Sequence, residues 1–346
     1  MRVIVKLICA ILSGIGLVSL VLIRTDMPNE RKNGFKRLFL KASARIRSEV
    51  TLPPTVNGIA GIQADDIYFF TNSADTLLKT NYKMDEVAVF TFSLEQSVKS
   101  NIGTVFSTQI GPAYSFIFAK NLPGFIRVNL FTEETTTFMN KGAYSSGIAL
   151  SENTYVIRQF IRSKNNSQFI KLDISSGRTR KEGSLPLNPL DRRLLISDGQ
   201  LHYDRSTQTL IYVHYYNNTV ITFDTLMKSN RRFFTISTVT DVPTNLYAPL
   251  VINQKSFVSK GLLFICSNLK SDNETRKCYW KNIPVDVYDI QTGSYHGSFY
   301  LPLSEGKLVK SIQLYNDTLV ALYHDNNVKL FSIHHILQAL EPSVPL

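Results

Sequence analysis

The sequence predicts an all-β fold, a six-bladed β-propeller preceded by an N-terminal transmembrane or signal-anchor helix. Three observations carry that expectation. Residues 194–234 break into apolar and aromatic runs of five to eight residues, separated by the polar turns RSTQ, NN and LMKSN. Leu210–Val213 and Val220–Phe223 are rich in β-branched and aromatic side chains, which suit a packed pleated surface, and no helical spacing is sustained. The theme recurs from Pro53 onward with a period of about 40 to 55 residues, the range of propellers and other repeat arrays. The last repeat, finally, is one strand short.

In order, the first unit reads Gly58–Ile62, Ile67–Thr71, Thr76–Thr80 and Val87–Phe92; the second Val105–Ile110, Tyr114–Ala119, Phe125–Leu130 and Thr135–Met139. The third reads Ser146–Leu150, Tyr155–Ile161, Gln168–Ile174 and Arg178–Leu185, and the fourth is residues 194–234. The fifth reads Pro249–Ile252, Leu262–Cys266, Val285–Ile290 and Tyr295–Leu301. The sixth offers only Val309–Leu314, Leu319–Tyr323 and Val328–Ile333. A ring with an incomplete last blade needs a strand from the other terminus. Arg45–Leu52 ends in Leu-Pro, as the outer strands of units three and five do, and is expected to complete blade six. Phe169–Gly177, Val220–Thr225, Val285–Gly293 and Val328–Ile333 share a further signature, a short alternating run closed by Asp, Ser or Gly, as a strand feeding a tight turn requires. A pair of β-sandwiches is the weaker architecture, because the units run continuously.

These endings, and the module Asp198–Asp224 (DGQLHYD, LIYVHYYNN, ITFD), resemble the six-bladed β-propellers of the TolB-like type, including membrane-tethered ones of Bacteroidetes-like bacteria. The resemblance covers roughly residues 44–333. It implies a ring that presents loops for recognition, and an extracytoplasmic body, periplasmic or at the cell surface. It implies no particular chemistry, since propellers host many unrelated activities.

The net charge of +11 is concentrated at one end: residues 1–50 carry +7 and the remaining 296 carry +4. A basic leader on a near-neutral body points to a membrane surface and away from nucleic acid. Arg2 and Lys6 precede the uncharged run Leu7–Ile23, seventeen residues, the short end of a membrane span. No small-residue cleavage triplet closes it, so an uncleaved anchor is favoured over a cleaved signal peptide. Arg24, Arg31, Lys32, Lys36, Arg37 and Lys41 follow the run, and the positive-inside tendency argues against an extracytoplasmic body. On a helix, Phe35, Leu38, Phe39, Ala42 and Ile46 share one face, with Lys36, Arg37, Lys41 and Arg45 mostly opposite. Such a helix, ending near Ala42 to free the closing strand, would lie at the membrane interface through Arg24, Phe35, Lys36, Arg37, Leu38, Phe39 and Lys41. A linker helix packed on the body is the other reading. The organisation expected is an anchor over 1–25, a basic amphipathic linker over 26–43, the ring over 44–335 and a tail over 336–346.

Cys266 and Cys278 flank a polar stretch as the two ends of a hairpin would. A disulfide between them is one expectation for a body outside the cytosol, and two unpaired thiols is the other. No H-x-x-x-H, C-x-x-C or H-E-x-x-H spacing supports a zinc site, and His334-His335 are expected to cap the final strand. Asp65-Asp66 could do acid–base work, but Glu152-Asn153 and Asn316-Asp317 stand at the same place in other units, which favours turns. G-x-S-x-G, the Walker loop and G-x-G-x-x-G are all missing, so no catalytic residue and no cofactor is assigned. Tyr212, Tyr215, Tyr216 and Trp280 read as core or inter-blade packing before a ligand face. The expected function is therefore non-catalytic binding of a protein, peptide or small ligand on one face of the ring. Two alternatives stand beside it: a lactonase-like hydrolase with calcium in the channel, and a structural subunit of an envelope complex. The first strands as read (GIAGI, SGIAL, PLVI, KSIQL) are mostly apolar or small, which disfavours a calcium site.

Overall fold

The structure is a computed structural model that describes residues 12–16, 32–63, 65–119, 121–122, 124–139, 143–161, 166–186, 198–240 and 250–340. Six four-stranded antiparallel sheets follow one another around a ring. Blade one is β2 (Val56–Gln63), β3 (Asp66–Thr71), β4 (Thr76–Asn81) and β5 (Val87–Thr91); blade two is β6 (Phe106–Ile110) to β9 (Thr135–Met139). Blade three runs from β10 (Ala143–Ala149) to β13 (Arg180–Pro186), and blade four from β14 (Gly199–Asp204) to β17 (Ser229–Phe234). Blade five is β18 (Asn253–Ser259), β19 (Leu262–Ser267), β20 (Asn282–Asp289) and β21 (Tyr295–Pro302).

The closing strand stands where the sequence puts it. Blade six is β22 (Val309–Tyr315), β23 (Thr318–Tyr323), β24 (Asn327–Ser332) and β1 (Arg45–Thr51), in the order β1-β24-β23-β22, with β1 antiparallel to β24. Arg45 faces Ser332 and Thr51 faces Asn327, with a register shift between Ile46 and Ser48.

Burial follows position in the blade. The second strands of blades four and six are buried throughout, because each lies between two neighbouring sheets. Outer strands such as β13 alternate between exposed and half-buried, having a sheet on one side and water on the other. Among the described residues, six apolar clusters each join two adjacent blades, and one of them joins blade one (Val56, Phe69) to blade six (Val320, Leu330). That last cluster seals the ring. Aromatic pairs fill the wedges: Phe125 and Tyr155 have ring centroids 4.7 Å apart, and Phe169 and Tyr212 5.0 Å. Each such side chain, wholly buried, stabilises by roughly 1.5–3 kcal/mol.

The turn signature has a physical basis and reaches further than the four units in which it is legible. Asp173 accepts from the Ser175 amide, Asp224 from those of Leu226 and Lys228, and Asp289 from that of Thr292. Asn81 and Asn129 do the same work in blades one and two, accepting from Met84 and Phe131. A short side-chain oxygen at the end of the third strand thus caps the hairpin in five blades. In blade six Ser332 takes the place, and the helix His334–Leu340 follows, so His334-His335 open a helix and do not cap the strand.

Residues 32–44 overturn one expectation. They form no helix: the segment is extended, with Phe35 and Arg37 buried and Lys36, Leu38 and Lys41 exposed, a period near two. It lies along β21 as a partial fifth strand, Leu40 donating to Ser298 O and Ser298 to Leu38 O, both at 2.8 Å. Gly297 permits the approach, since its φ is +141° and a Cβ there would stand 3.1 Å from Leu38 O. Phe35 packs on Ile252 and Leu269, and the Phe39 ring stacks on Tyr300 at 4.4 Å. Phe35, Arg37 and Phe39, read as membrane-facing, are thus engaged with the ring, while Lys36, Leu38 and Lys41 stay free to face outward. Arg24 and most of Leu7–Ile23 lie outside the described residues. No helix among the described residues is long and apolar enough to cross a membrane.

Arg37 anchors the strap. Its Nε and Nη2 grip the two carboxylate oxygens of Asp286 at 2.7 and 3.1 Å, and Nη1 reaches Glu274 at 2.5 Å and Leu269 O at 2.8 Å. Tyr300, Ser271 and Ser298 supply the remaining donors to the two acids. Burial alone would raise the Glu274 pKa, but the Arg37 charge and these hydrogen bonds outweigh it and hold the carboxyl below its usual value. The Asn273 side chain closes the seam, accepting from Arg37 N at 3.0 Å and donating to Arg37 O at 2.8 Å.

Cys266 and Cys278 are both free. The chain between them is not a hairpin: after β19 it forms a loop and the short helix Arg276–Tyr279 before β20 begins. Cys266 is sealed in the core between blades five and six, where burial pushes its thiol up to about 12, and Cys278 sits on the short helix at the surface of blade five.

Candidate functional site

The inner strands of all six blades surround a central channel of about 920 Å³. The fifth of them differs from the sequence reading. Residues 250–252 are not its first strand; Asn253–Ser259 is, which places Lys255 and Ser256 in the channel wall. The channel is accordingly more polar than the four apolar runs imply, with Gln109, Gln200, His202 and Gln313 in its wall beside Ile59, Ile62 and Ile148. Gly61 lets blades one and two close at the axis, since a Cβ there would fall 2.9 Å from that of Ile110.

Several of these polar groups tie the blades together. Gln63 donates to Pro112 O at 2.6 Å, and Gln109 donates to Gly147 O and accepts from Ala149 N. Ser311 accepts from Ile59 N, and Lys310 donates to Val56 O at 2.7 Å. Between blades four and five the chain of bonds is longer. Gln200 Nε2 donates to Gln254 O, and its Oε1 accepts from both the amide and the hydroxyl of Ser256. The Ser256 hydroxyl is then committed as a donor, so His202, 2.7 Å away, gives it the Nε2 proton. His202 is therefore the neutral Nε2–H tautomer, and burial lowers its pKa to about 4.

That shift gives an expected result. The fold favours neutral His202, so its contribution is complete above about 6.5 and is lost as pH falls from 6.5 towards 4. The loss should be on the order of 2 kcal/mol, discounted from the full linkage value because His202 is only half-buried where it lines the channel. Urea titrations across that range should show the decline in the wild type and a flatter profile in His202→Gln.

Lys255 stands apart from these ties. Among the described residues no carboxylate pairs with it. Burial lowers its pKa, Cys266 opposes that, and the charge of Lys310 adds to it. Lys255, Lys310 and His324 belong to the end of the ring where the inner strands begin, and the charges of Lys255, Lys310 and Lys307 join burial in lowering His324. The opposite end carries Glu152 and Arg205. Glu152 is the only carboxylate in the described lining, so the oxygen-rich set that calcium requires is not assembled there. No three His, Cys, Asp or Glu side chains come together among the described residues.

The remaining candidates fall in three places. Asp65-Asp66 lies in the β2–β3 turn, with Asp66 paired to Lys79 at 2.8 Å, and Asn316-Asp317 forms the matching turn of blade six, where Asp317 meets Arg47. Tyr212 is core and Tyr215 lines the channel. Trp280 is not core: it is 68% exposed. Lys255 was missed because the β18 strand NQKSFVS is polar at its start, and PLVI just before it mimics a strand.

No family model matches the chain, and no curated protein matches it. Solved structures do. The WD40 domain of Neurospora crassa Pan2 aligns over 86% of this chain and 97% of its own, at 8% identity and a TM-score of 0.53. A member of the DUF4221 family from Bacteroides vulgatus aligns over 87% and 98%, at 12% identity and 0.52. Virginiamycin B lyase from Staphylococcus aureus, solved as an inactive variant with quinupristin, aligns over 82% and 98%, at 9% identity and 0.50. The chain is a six-bladed β-propeller. At these identities the likeness carries the fold and stops there, and propellers commonly serve as binding scaffolds.

Proposed function

We propose that this propeller is a membrane-anchored, non-catalytic binding protein with an extracytoplasmic body, and that its central channel holds a small ligand or chain end bearing an anionic group. The observation that supports this most is Lys255, an ammonium in the channel wall without a carboxylate partner among the described residues. A half-buried lone cation is costly, and an incoming anion would offset that cost. The glutamines and serines around it hold the blades in register, so the site is preorganised and little ordering is needed on binding.

The test uses citrate as a probe. If the channel takes anions, citrate should raise the unfolding midpoint of the wild type, by roughly 2.7 kcal/mol of added stability at a hundredfold excess over its dissociation constant. The gain should vanish in Lys255→Met, while a neutral polyol of similar size should do nothing in either protein. Equal midpoint shifts in wild type and Lys255→Met would rule the channel reading out. The anchor is tested separately: the full chain should remain with membranes through carbonate extraction.

A further inference from the structure

The way residue 33 leaves the ring points to a surface that faces the lipid. Asn33 donates its backbone N–H to Asp272 at 2.7 Å and its side-chain amide to Lys270 O at 2.7 Å, and Gly34 N–H takes the other Asp272 oxygen at 3.1 Å. The first described residues of the strap are therefore clipped to the loop between β19 and β20. That loop lies at the end of the ring where inner strands begin, since Asn268 donates to Ile252 O just before β18. The 32 residues N-terminal to the clip include the uncharged run Leu7–Ile23. Only Arg24 to Lys32 separate that run from Asn33, a reach of roughly 30 Å at full extension.

The same loop bears Trp280, 68% exposed and the only tryptophan in the chain. Exposed Lys277 and Lys281 flank it, and Lys36 is exposed on the adjoining strap. The acids of this loop are committed elsewhere: Asp272 to the clip and Glu274 to Arg37. Exposed Glu305, on the neighbouring turn, has Lys307 beside it. An amphipathic indole ringed by lysines is the side-chain set that settles at the headgroup level of an anionic bilayer. We infer that the β19–β20 loop of blade five, with Trp280 exposed just before β20 and Lys277 and Lys281 beside it, docks the ring on an anionic lipid surface. This rests on the membrane-anchored reading above. Docking so directed turns the Lys255 end of the channel towards the membrane and leaves the Glu152 end open to the solvent.

Because Trp280 is the only indole, its fluorescence reports the contact without labelling. The full chain is reconstituted into vesicles of phosphatidylcholine alone, or of phosphatidylcholine with phosphatidylserine, each with and without lipids brominated near the headgroup. With phosphatidylserine, Trp280 emission should shift to the blue and be roughly halved by the brominated lipid; with phosphatidylcholine alone it should stay as in detergent. In Lys277→Glu/Lys281→Glu the docked-to-undocked ratio should fall at least about fivefold per lysine, with the unfolding midpoint of the ring unchanged. A chain that floats with both vesicle types while Trp280 stays unshifted and unquenched overturns the docking and leaves the anchor standing. Quenching equal in both vesicle types and indifferent to the charge reversals overturns the anionic surface as the partner. A chain that fails to float with either overturns the anchor and the docking together.

Discussion

Arg37→Met should cost the ring about 3–5 kcal/mol, the price of leaving two buried carboxylates without their cation. The guanidinium contacts Asp286 through two parallel bonds and Glu274 through a third, and both acids are shielded from water. Urea unfolding of the single variant measures the loss. If the protein fails to fold, the companion Arg37→Met/Glu274→Gln/Asp286→Asn decides, because a neutral set of the same shape should recover most of the stability. A single variant within about 1 kcal/mol of the wild type would mean the strap contributes little. Arg37→Lys should recover only part, since an ammonium cannot span both acids in one plane. Acid should mimic the lesion: the lowered Glu274 pKa stabilises above its unfolded value and is lost as pH falls through the folded one.

Replacing Arg45–Thr51 by seven glycines should cost about 4–7 kcal/mol, at roughly 0.5–1 kcal/mol for each strand residue that loses its side chain. The strand brings Arg47, bonded to Thr318 and Ser332, and Glu49, paired with Lys329. Its loss also bares the edge of β24, an unpaired row of backbone groups that invites association. Calorimetry should show the lower midpoint, and light scattering should show aggregation at concentrations where the wild type is monodisperse. Retention of the wild-type midpoint would mean that the apolar cluster between blades one and six closes the ring without β1.

Much of this architecture is legible in the chain because it is local. A hairpin needs two alternating runs and a turn residue, all within about twenty positions, and Asp173, Asp224 and Asp289 mark three such turns outright. Asn81 and Asn129 escaped the pattern only because an amide replaced a carboxylate. The missing strand was deducible by counting. What could not be read is where a segment meets a partner far away in sequence. Phe35 to Ala42 fits helical spacing and strand spacing about equally well; the decision comes from Glu274 and Asp286, 237 and 249 residues further on, and from the free edge of β21. Likewise nothing local distinguishes PLVI from the true inner strand, and that choice decides whether Lys255 stands in the channel wall.

The number of blades, the order of strands and the need for a closing strand were set by the sequence itself, since each follows from contacts between neighbours along the chain. The extended strap, the free thiols of Cys266 and Cys278, the exposure of Trp280 and the placement of Lys255 were decided by the closed ring. Closure brings together residues hundreds of positions apart, and long-range electrostatic and packing terms then override local periodicity.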